Sequence, residues 1–291
     1  MTARLWKFLA ASAAALVLTA GEARAQPPVW VVSDADSEVV LFGSVHVLPP
    51  GLDWRPAALV EAMTHADDLW FELPIDQASD LEVAQLAAAH GYLPADASLT
   101  ALLSPEGTRR LERIAQAYGL SLALLDRLEP WFAEVALAGA TYRAAGADAG
   151  SGVEKSLAAE APATAARRAF ETPAEQIALF DGAPLAEQVA SLEESLKEIE
   201  GDPKAYDKLV DAWMRADVTS LRTEALEPLR EASPALYARL VTDRNAAWTQ
   251  ALETRLKGSG RTVVVVGVGH LIGDDGLPAR LRALGYSVKG P

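Results

Sequence analysis

The chain has 291 residues, of which 50% are hydrophobic and 23% are charged, and this globular composition excludes collagen-like and disordered classes. Its 26 basic and 40 acidic residues give a formal net charge of −14, which disfavours binding to nucleic acid and to anionic membrane surfaces. Because the chain contains no cysteine, disulfides, thiolate metal sites, iron–sulfur clusters and cysteine nucleophiles are excluded.

Residues 1–25 predict a secretory signal peptide. Arg4 and Lys7 precede an apolar run at 8–20 that is short for a bilayer, and Ala23-Arg24-Ala25 has the small-x-small pattern of a cleavage site. An N-terminal membrane anchor is the alternative, which the short apolar run and the cleavage site disfavour. We therefore expect an exported mature chain, 26–291, that is periplasmic or secreted and has no stable membrane insertion.

The mature chain begins and ends with predicted strands. Two β-branched runs at 29–32 and 39–45 predict a hairpin, and 67–73 predicts a third strand. Residues 261–266 form a strongly apolar run that predicts a strand buried on both faces. Two weaker patterns predict strands at 166–171 and 286–288.

Helical spacing of apolar residues, with Pro, Gly and Asp at the boundaries, accounts for most of the rest. Helices are predicted at 56–66, within 76–146, and at 173–180, 185–199, 203–216, 220–229, 234–257 and 276–284. We therefore expect one α/β domain over 26–291, with a central sheet built from both chain termini and a large helical insertion at about 76–257.

The residues best placed for chemistry follow predicted strands. Gly43-Ser44-Val45-His46 and Gly267-Val268-Gly269-His270 each place a Gly-x-x-His pattern at the carboxyl end of an apolar strand, the edge where open α/β sheets bind ligands. Gly43, Gly267 and Gly269 would allow close approach of the backbone to a ligand. Glu72 lies near the end of a third predicted strand.

If these three strands are parallel neighbours, His46, His270 and Glu72 converge. Two imidazoles and one carboxylate form a good ligand set for a divalent metal with open positions. The alternative is that each histidine is a hydrogen-bonded structural residue. His65 and His90 are expected at the surface and at a helix end, respectively, without a functional role.

Five motifs together resemble the TraB/GumN family, which is related to the Tiki-type membrane proteases. They are Gly43-Ser44-Val45-His46, Glu72, Phe170-Glu171-Thr172-x-x-Glu175-Gln176, Arg244-Asn245-x-x-Trp248 and Gly267-x-Gly-His-Leu-x-Gly273. The resemblance covers nearly the whole mature chain. It implies an α/β fold of the kind seen in erythromycin-esterase-like and ChaN-like proteins, and a metal site at the two Gly-x-x-His motifs and the glutamate.

Further polar residues are candidates for the same site. Glu154 and Glu171 can serve as metal ligands, as partners of the ligands or as a general base, or else as a helix-start charge and a surface acid. Arg244, beside Asn245, can bind a substrate carboxylate or stabilise an oxyanion, or else form an ordinary salt bridge.

Three functional hypotheses remain open from the sequence. The first is a metal-dependent hydrolase, with a peptidase as one form of it, in which Mn, Co or Zn activates water. Glu72 or Glu154 would take the proton, and Arg244 would stabilise the developing charge on a peptide or small-molecule substrate. The second is a non-enzymatic exported protein that binds a peptide, a sugar or a haem-like ligand in the same cleft. The third is a purely structural role for the motifs.

Overall fold

The β-branched runs of the sequence form a six-stranded sheet. The computed structural model describes residues 26–291, so the predicted signal peptide lies outside the described residues. The strands are Val29–Ser33 (β1), Ser37–Ser44 (β2), Asp68–Phe71 (β3), Ala166–Ala169 (β4), Gly260–Gly267 (β5) and Ser287–Lys289 (β6).

The sheet has the order β4-β3-β5-β2-β1-β6. Strands β2, β5, β3 and β4 run parallel, whereas β1 is antiparallel to β2 and to β6, which confirms the predicted hairpin. The valines at 263–266 in β5 are fully buried, as expected for a strand covered on both faces. The predicted α/β fold, with a sheet built from both chain termini, is confirmed.

Helices connect the strands and cover the sheet. They are Ala57–Thr64 (α1), Gln77–His90 (α2), Leu99–Leu102 (α3), Pro105–Ala117 (α4), Leu122–Leu125 (α5), Pro130–Ala144 (α6), Val153–Glu160 (α7), Pro173–Asp181 (α8), Leu185–Gly201 (α9), Ala205–Met214 (α10), Val218–Leu221 (α11), Glu227–Ala232 (α12), Pro234–Tyr237 (α13), Asp243–Leu256 (α14) and Leu277–Ala283 (α15). Short 3₁₀ turns occupy Ala149–Ser151 and Val268–His270.

The helical insertion differs in detail from the sequence prediction. The helices predicted at 220–229 and 234–257 are divided by π-helical turns at Arg222–Leu226 and Ala238–Thr242. Pro228 has no N–H to donate to the carbonyl four residues earlier, which interrupts the regular α-helical pattern beside the first of these turns. β4 interrupts the insertion where the sequence predicts a strand at 166–171.

A buried tryptophan fixes the end of β2 against the helices. Trp213 of α10 donates a hydrogen bond from Nε1 to the carbonyl oxygen of Gly43 at 2.8 Å. Its ring centroid lies 6.1 Å from those of both Phe42 and Trp54. The backbone that leads to His46 is therefore held by both packing and a buried hydrogen bond.

Substitution Trp213→Phe should lower the free energy of unfolding by about 1–3 kcal/mol, because it leaves the buried Gly43 carbonyl without its partner. Trp131→Phe is the matched control, since the buried Nε1 of Trp131 has no hydrogen-bond partner in the described residues. Urea unfolding of both variants measures the difference. An equal cost for the two substitutions would show that the Trp213 hydrogen bond contributes nothing.

Candidate functional site

The four parallel strands each deliver one polar side chain to the same edge of the sheet. His46 follows β2, His270 lies in the 3₁₀ turn after β5, Glu72 follows β3 and Glu171 follows β4. Because β5 pairs with both β2 and β3, the three motif-bearing strands are adjacent and parallel. The structure therefore brings together the two histidines and the carboxylates predicted from the sequence.

The glycines of the two Gly-x-x-His motifs lie where the chain passes closest to its neighbours. A Cβ atom at Gly43 would lie 2.8 Å from Cγ2 of Val268, and one at Gly267 would lie 3.2 Å from Oε1 of Glu72. The same Cβ position at Gly267 would lie 3.8 Å from Cδ2 of His270 and 3.9 Å from Nε2 of His46. Both imidazoles and the Glu72 carboxylate thus surround this glycine.

Arg244 of α14 joins three of the site residues. Its Nη2 donates to Oε2 of Glu72 at 2.6 Å, and its Nε and Nη2 donate to the two carboxylate oxygens of Glu171 at 2.6 and 2.9 Å. Its Nη1 lies 3.0 Å from Nε2 of His270. The guanidinium also lies 4.6 Å from the ring centroid of Trp248, so its position is fixed on several sides.

His270 is oriented by Asn245, which is fully buried. Nδ1 of His270 lies 2.8 Å from Oδ1 of Asn245, while Nδ2 of Asn245 donates to the backbone carbonyls of His270 and Asp275. Because the Asn245 oxygen can only accept, Nδ1 carries the proton of a neutral His270 ring. Nε2 then accepts from Arg244. The ring also packs against Trp248, with centroids 4.5 Å apart.

His46 is held by Glu154, the second residue of α7. Its Nδ1 lies 2.6 Å from Oε1 of Glu154, which also accepts a hydrogen bond from Oγ of Ser44 at 2.5 Å. Close approach is possible because Gly152 has no Cβ, which would clash with the His46 carbonyl oxygen. The Nε2 atom of His46 therefore faces Gly267 and the site.

The two histidines have opposite electrostatic environments. Attraction to Glu154 raises the pKa of His46, although the imidazole is 68% exposed and solvent screens part of that effect. Burial lowers the pKa of His270 to about 4, and the adjacent Arg244 acts in the same direction. A neutral His270 agrees with its position as the acceptor from Arg244.

Glu72 is ionised despite its burial. Burial opposes its ionisation, but the positive charges of Arg244 and His46 and the N–H of Gly267, which donates to Oε1 at 2.7 Å, lower its pKa. Glu72, Glu171 and Arg244 have side chains that are only 11% exposed. Solvent therefore reaches this cluster mainly from the side of His46.

The donor types fit a divalent metal only in part. Both imidazoles have Nδ1 engaged, which is the usual arrangement of histidines that bind a metal through Nε2. However, residues 26–291 contain no group of three His, Asp or Glu side chains already arranged to hold an ion. Nε2 of His270 is 3.9 Å from Oε1 of Glu72, and Arg244 occupies the space beside both.

Several contributing residues were not singled out from the sequence. Ser44 lies inside the first Gly-x-x-His motif, but its contact with Glu154 spans 110 residues of chain, so spacing gives no signal for it. In the 170–176 motif, Gln176 Nε2 lies 3.5 Å from Glu72 Oε2. Thr172 and Glu175 form the capping box that begins α8 and have a structural role.

Comparison with known proteins places this architecture in one family. The profile of the TraB/PrgY/gumN family matches residues 28–290, and the chain belongs to this family, as its motifs predicted. The site described above is therefore that of a TraB/PrgY/gumN protein.

Two relatives are described as uncharacterized proteins named YbaP. The one from Escherichia coli (strain K12) is 26% identical over 267 residues, which cover 88% of this chain and 92% of the relative. The one from Shigella flexneri is 27% identical over 253 residues, which cover 83% and 87%. No solved structure shows a significant match to this chain. None of the described helices is long and apolar enough to cross a membrane.

Substitution Arg244→Met should lower the free energy of unfolding by about 3–5 kcal/mol, because it leaves the buried Glu72 and Glu171 carboxylates without their cation. Arg113→Met is the matched control, since Arg113 pairs with Glu106 and Glu200 at the exposed surface and should cost far less. Guanidinium unfolding measures both variants. Equal losses would contradict a central structural role for Arg244.

Proposed function

We propose that the protein is a metal-dependent hydrolase, and that His46, His270 and Glu72 hold the metal. The observation that carries this proposal is the matched orientation of the imidazoles. Each has Nδ1 engaged by an acceptor, Glu154 or Asn245. Nε2 of His46 lies 3.9 Å from the Cβ position of Gly267, and Nε2 of His270 lies 3.9 Å from Oε1 of Glu72. The metal is a divalent ion such as Mn, Co or Zn.

When bound, a divalent ion in such a site lowers the pKa of a coordinated water and polarises the carbonyl of a substrate. Glu154 keeps Nδ1 of His46 engaged and thereby fixes the orientation of the ring. Either carboxylate, Glu72 or Glu154, can take the proton from the attacking water. The N–H groups of Arg244 donate to Glu72, Glu171, His270 and the Leu240 carbonyl. Once Nη1 leaves His270 on metal binding, Arg244 can stabilise negative charge that develops on the substrate.

The exposed imidazole of His46 supports entry of the substrate from that side. We propose that the substrate is a peptide or another small molecule with a hydrolysable carbonyl, and that this protein is itself exported, to the periplasm or out of the cell. The signal-peptide pattern of residues 1–25 supports this location.

One observation favours the second hypothesis, a non-enzymatic binding protein. Arg244 already contacts both Glu72 and His270, so metal binding requires the guanidinium to withdraw from Nε2 of His270. If it does not withdraw, Arg244 stays paired with Glu72 and Glu171, and the exposed imidazole of His46 is the polar group that a ligand would contact at this edge of the sheet.

Elemental analysis of protein purified without chelator and then exposed to Mn, Co and Zn separates these functions. We expect about one bound divalent ion per chain, lost in the double variant His46→Ala/His270→Ala. The control is His65→Ala/His90→Ala, which removes two exposed histidines outside the site and should retain the ion. A metal content that is zero, or that is unchanged in the first variant, would exclude the metal site.

Substitution Glu154→Gln should lower metal-stimulated turnover by ~10–100-fold, because the amide can donate to Nδ1 and favour the wrong tautomer of His46. A hydrolase screen with and without metal, followed by kinetics of this variant, makes the measurement. The control is Glu160→Gln, near the end of the same helix, where the carboxylate pairs with Arg55 at the surface. Unchanged turnover in Glu154→Gln would contradict the role given to Glu154.

A further inference from the structure

The helical insertion contains a cavity of about 870 Å³ that is distinct from the histidine site. It lies between α6 and α9 on one side and the helices α10 to α13 on the other. This volume is within the range of pockets that hold small molecules. Leu209, Leu221 and Leu229 contribute apolar surface to its wall.

The polar part of the wall is strongly acidic. Six carboxylates line the cavity, whereas its lining includes a single cationic side chain, Lys208, which lies 2.6 Å from Oδ2 of Asp202. The six are Glu134, Glu187, Glu194, Glu198, Asp202 and Glu224. Outside the lining, Lys197 lies 2.6 Å from Glu194 and Arg239 lies 3.7 Å from Glu187, so three of the six carboxylates have a cationic partner and three have none in residues 26–291.

Glu134 and Glu198 are two of the three carboxylates that form no ion pair in the described part of the chain. Glu134 accepts hydrogen bonds from the hydroxyl groups of Ser195 and Ser191, at 2.6 and 3.2 Å, but forms no ion pair there. Burial and repulsion from Glu194 and Glu134 raise the pKa of Glu198. Glu187 does have a cationic partner, since its Oε2 lies 3.7 Å from Nη2 of Arg239, but this buried oxygen accepts no hydrogen bond in the described residues.

Two aromatic rings also form part of the cavity wall. Tyr142 and Tyr206 both line the cavity, with ring centroids 4.9 Å apart. The faces of aromatic rings attract organic cations, most strongly where water is excluded. An apolar wall, uncompensated carboxylates and aromatic rings are together complementary to a molecule that is both cationic and partly apolar.

We propose that this cavity binds a small organic cation that carries an ammonium group on an apolar body of several carbons. The charge complementarity of the wall selects this occupant over a neutral or anionic molecule of the same size. Nothing in this proposal depends on the hydrolase function, since no residue of the histidine site is part of the wall described here.

Two of the elements that line the cavity also contact the histidine-bearing loops. Tyr206 donates from its hydroxyl to the backbone carbonyl of Val47 at 3.0 Å, directly after His46. The π-helical turn Arg222–Leu226 contributes Glu224 to the cavity. The same turn places Leu226 against Gly269, where a Cβ would lie 3.2 Å from Cδ2 of Leu226.

Calorimetric titration with hexyltrimethylammonium tests the proposal, with hexanol and hexanoate as neutral and anionic probes. We expect the cation to bind, hexanol to bind more weakly and hexanoate not to bind. The double variant Glu134→Gln/Glu198→Gln should weaken cation binding by about five- to tenfold, the size expected for loss of partly buried charge pairing. Glu112→Gln, on the exposed face of α4, is the matched control and should bind as the unmodified protein does.

Binding of all three probes with equal affinity would show an apolar cavity without cation selectivity and would overturn the proposal. Absence of cation binding, or equal binding by the double variant with its fold confirmed by circular dichroism, would also overturn it. The His46→Ala/His270→Ala variant should retain cation binding. This last measurement distinguishes failure of the cavity proposal from failure of the metal-site proposal.

Discussion

The pairing of Arg244 with Glu72 and Glu171 is the interaction on which the rest of the site depends. Two carboxylates at the ends of adjacent parallel strands are buried together, and an unpaired buried charge is strongly unfavourable. Arg244 offsets both charges and reaches His270 with its remaining nitrogen. It thereby joins α14 to the carboxyl edge of β3, β4 and β5, the edge that delivers the histidines.

Much of this arrangement could be predicted from local sequence patterns. The alternation and β-branching of the first hairpin and the valine run of β5 identified those strands, and the two Gly-x-x-His motifs located the edge that carries polar side chains. The family resemblance added Arg244, Asn245, Glu154 and Glu171, all of which the structure places around the two histidines. Their catalytic and metal-binding roles stay predictions, whereas their proximity is observed.

The partners within the site could not be predicted, because they are distant along the chain. His46 and Glu154 are separated by 108 residues, and Arg244 and Glu72 by 172, so no spacing rule connects them. The division of the predicted 220–229 and 234–257 helices by π-helical turns is a second example. Hydrophobic periodicity identifies a helix but does not report a local change from the α to the π hydrogen-bond pattern.

The strands at the two margins of the sheet have a consequence for association between molecules. β4 has four residues and β6 has three, and both carry basic side chains, Arg167 and Arg168 in the first and Lys289 in the second. Short edge strands that carry charged side chains are poor templates for the addition of a strand from another chain. The long apolar strands β2 and β5 lie inside the sheet and each is paired with a strand on both sides, so these apolar sequences are shielded from intermolecular pairing.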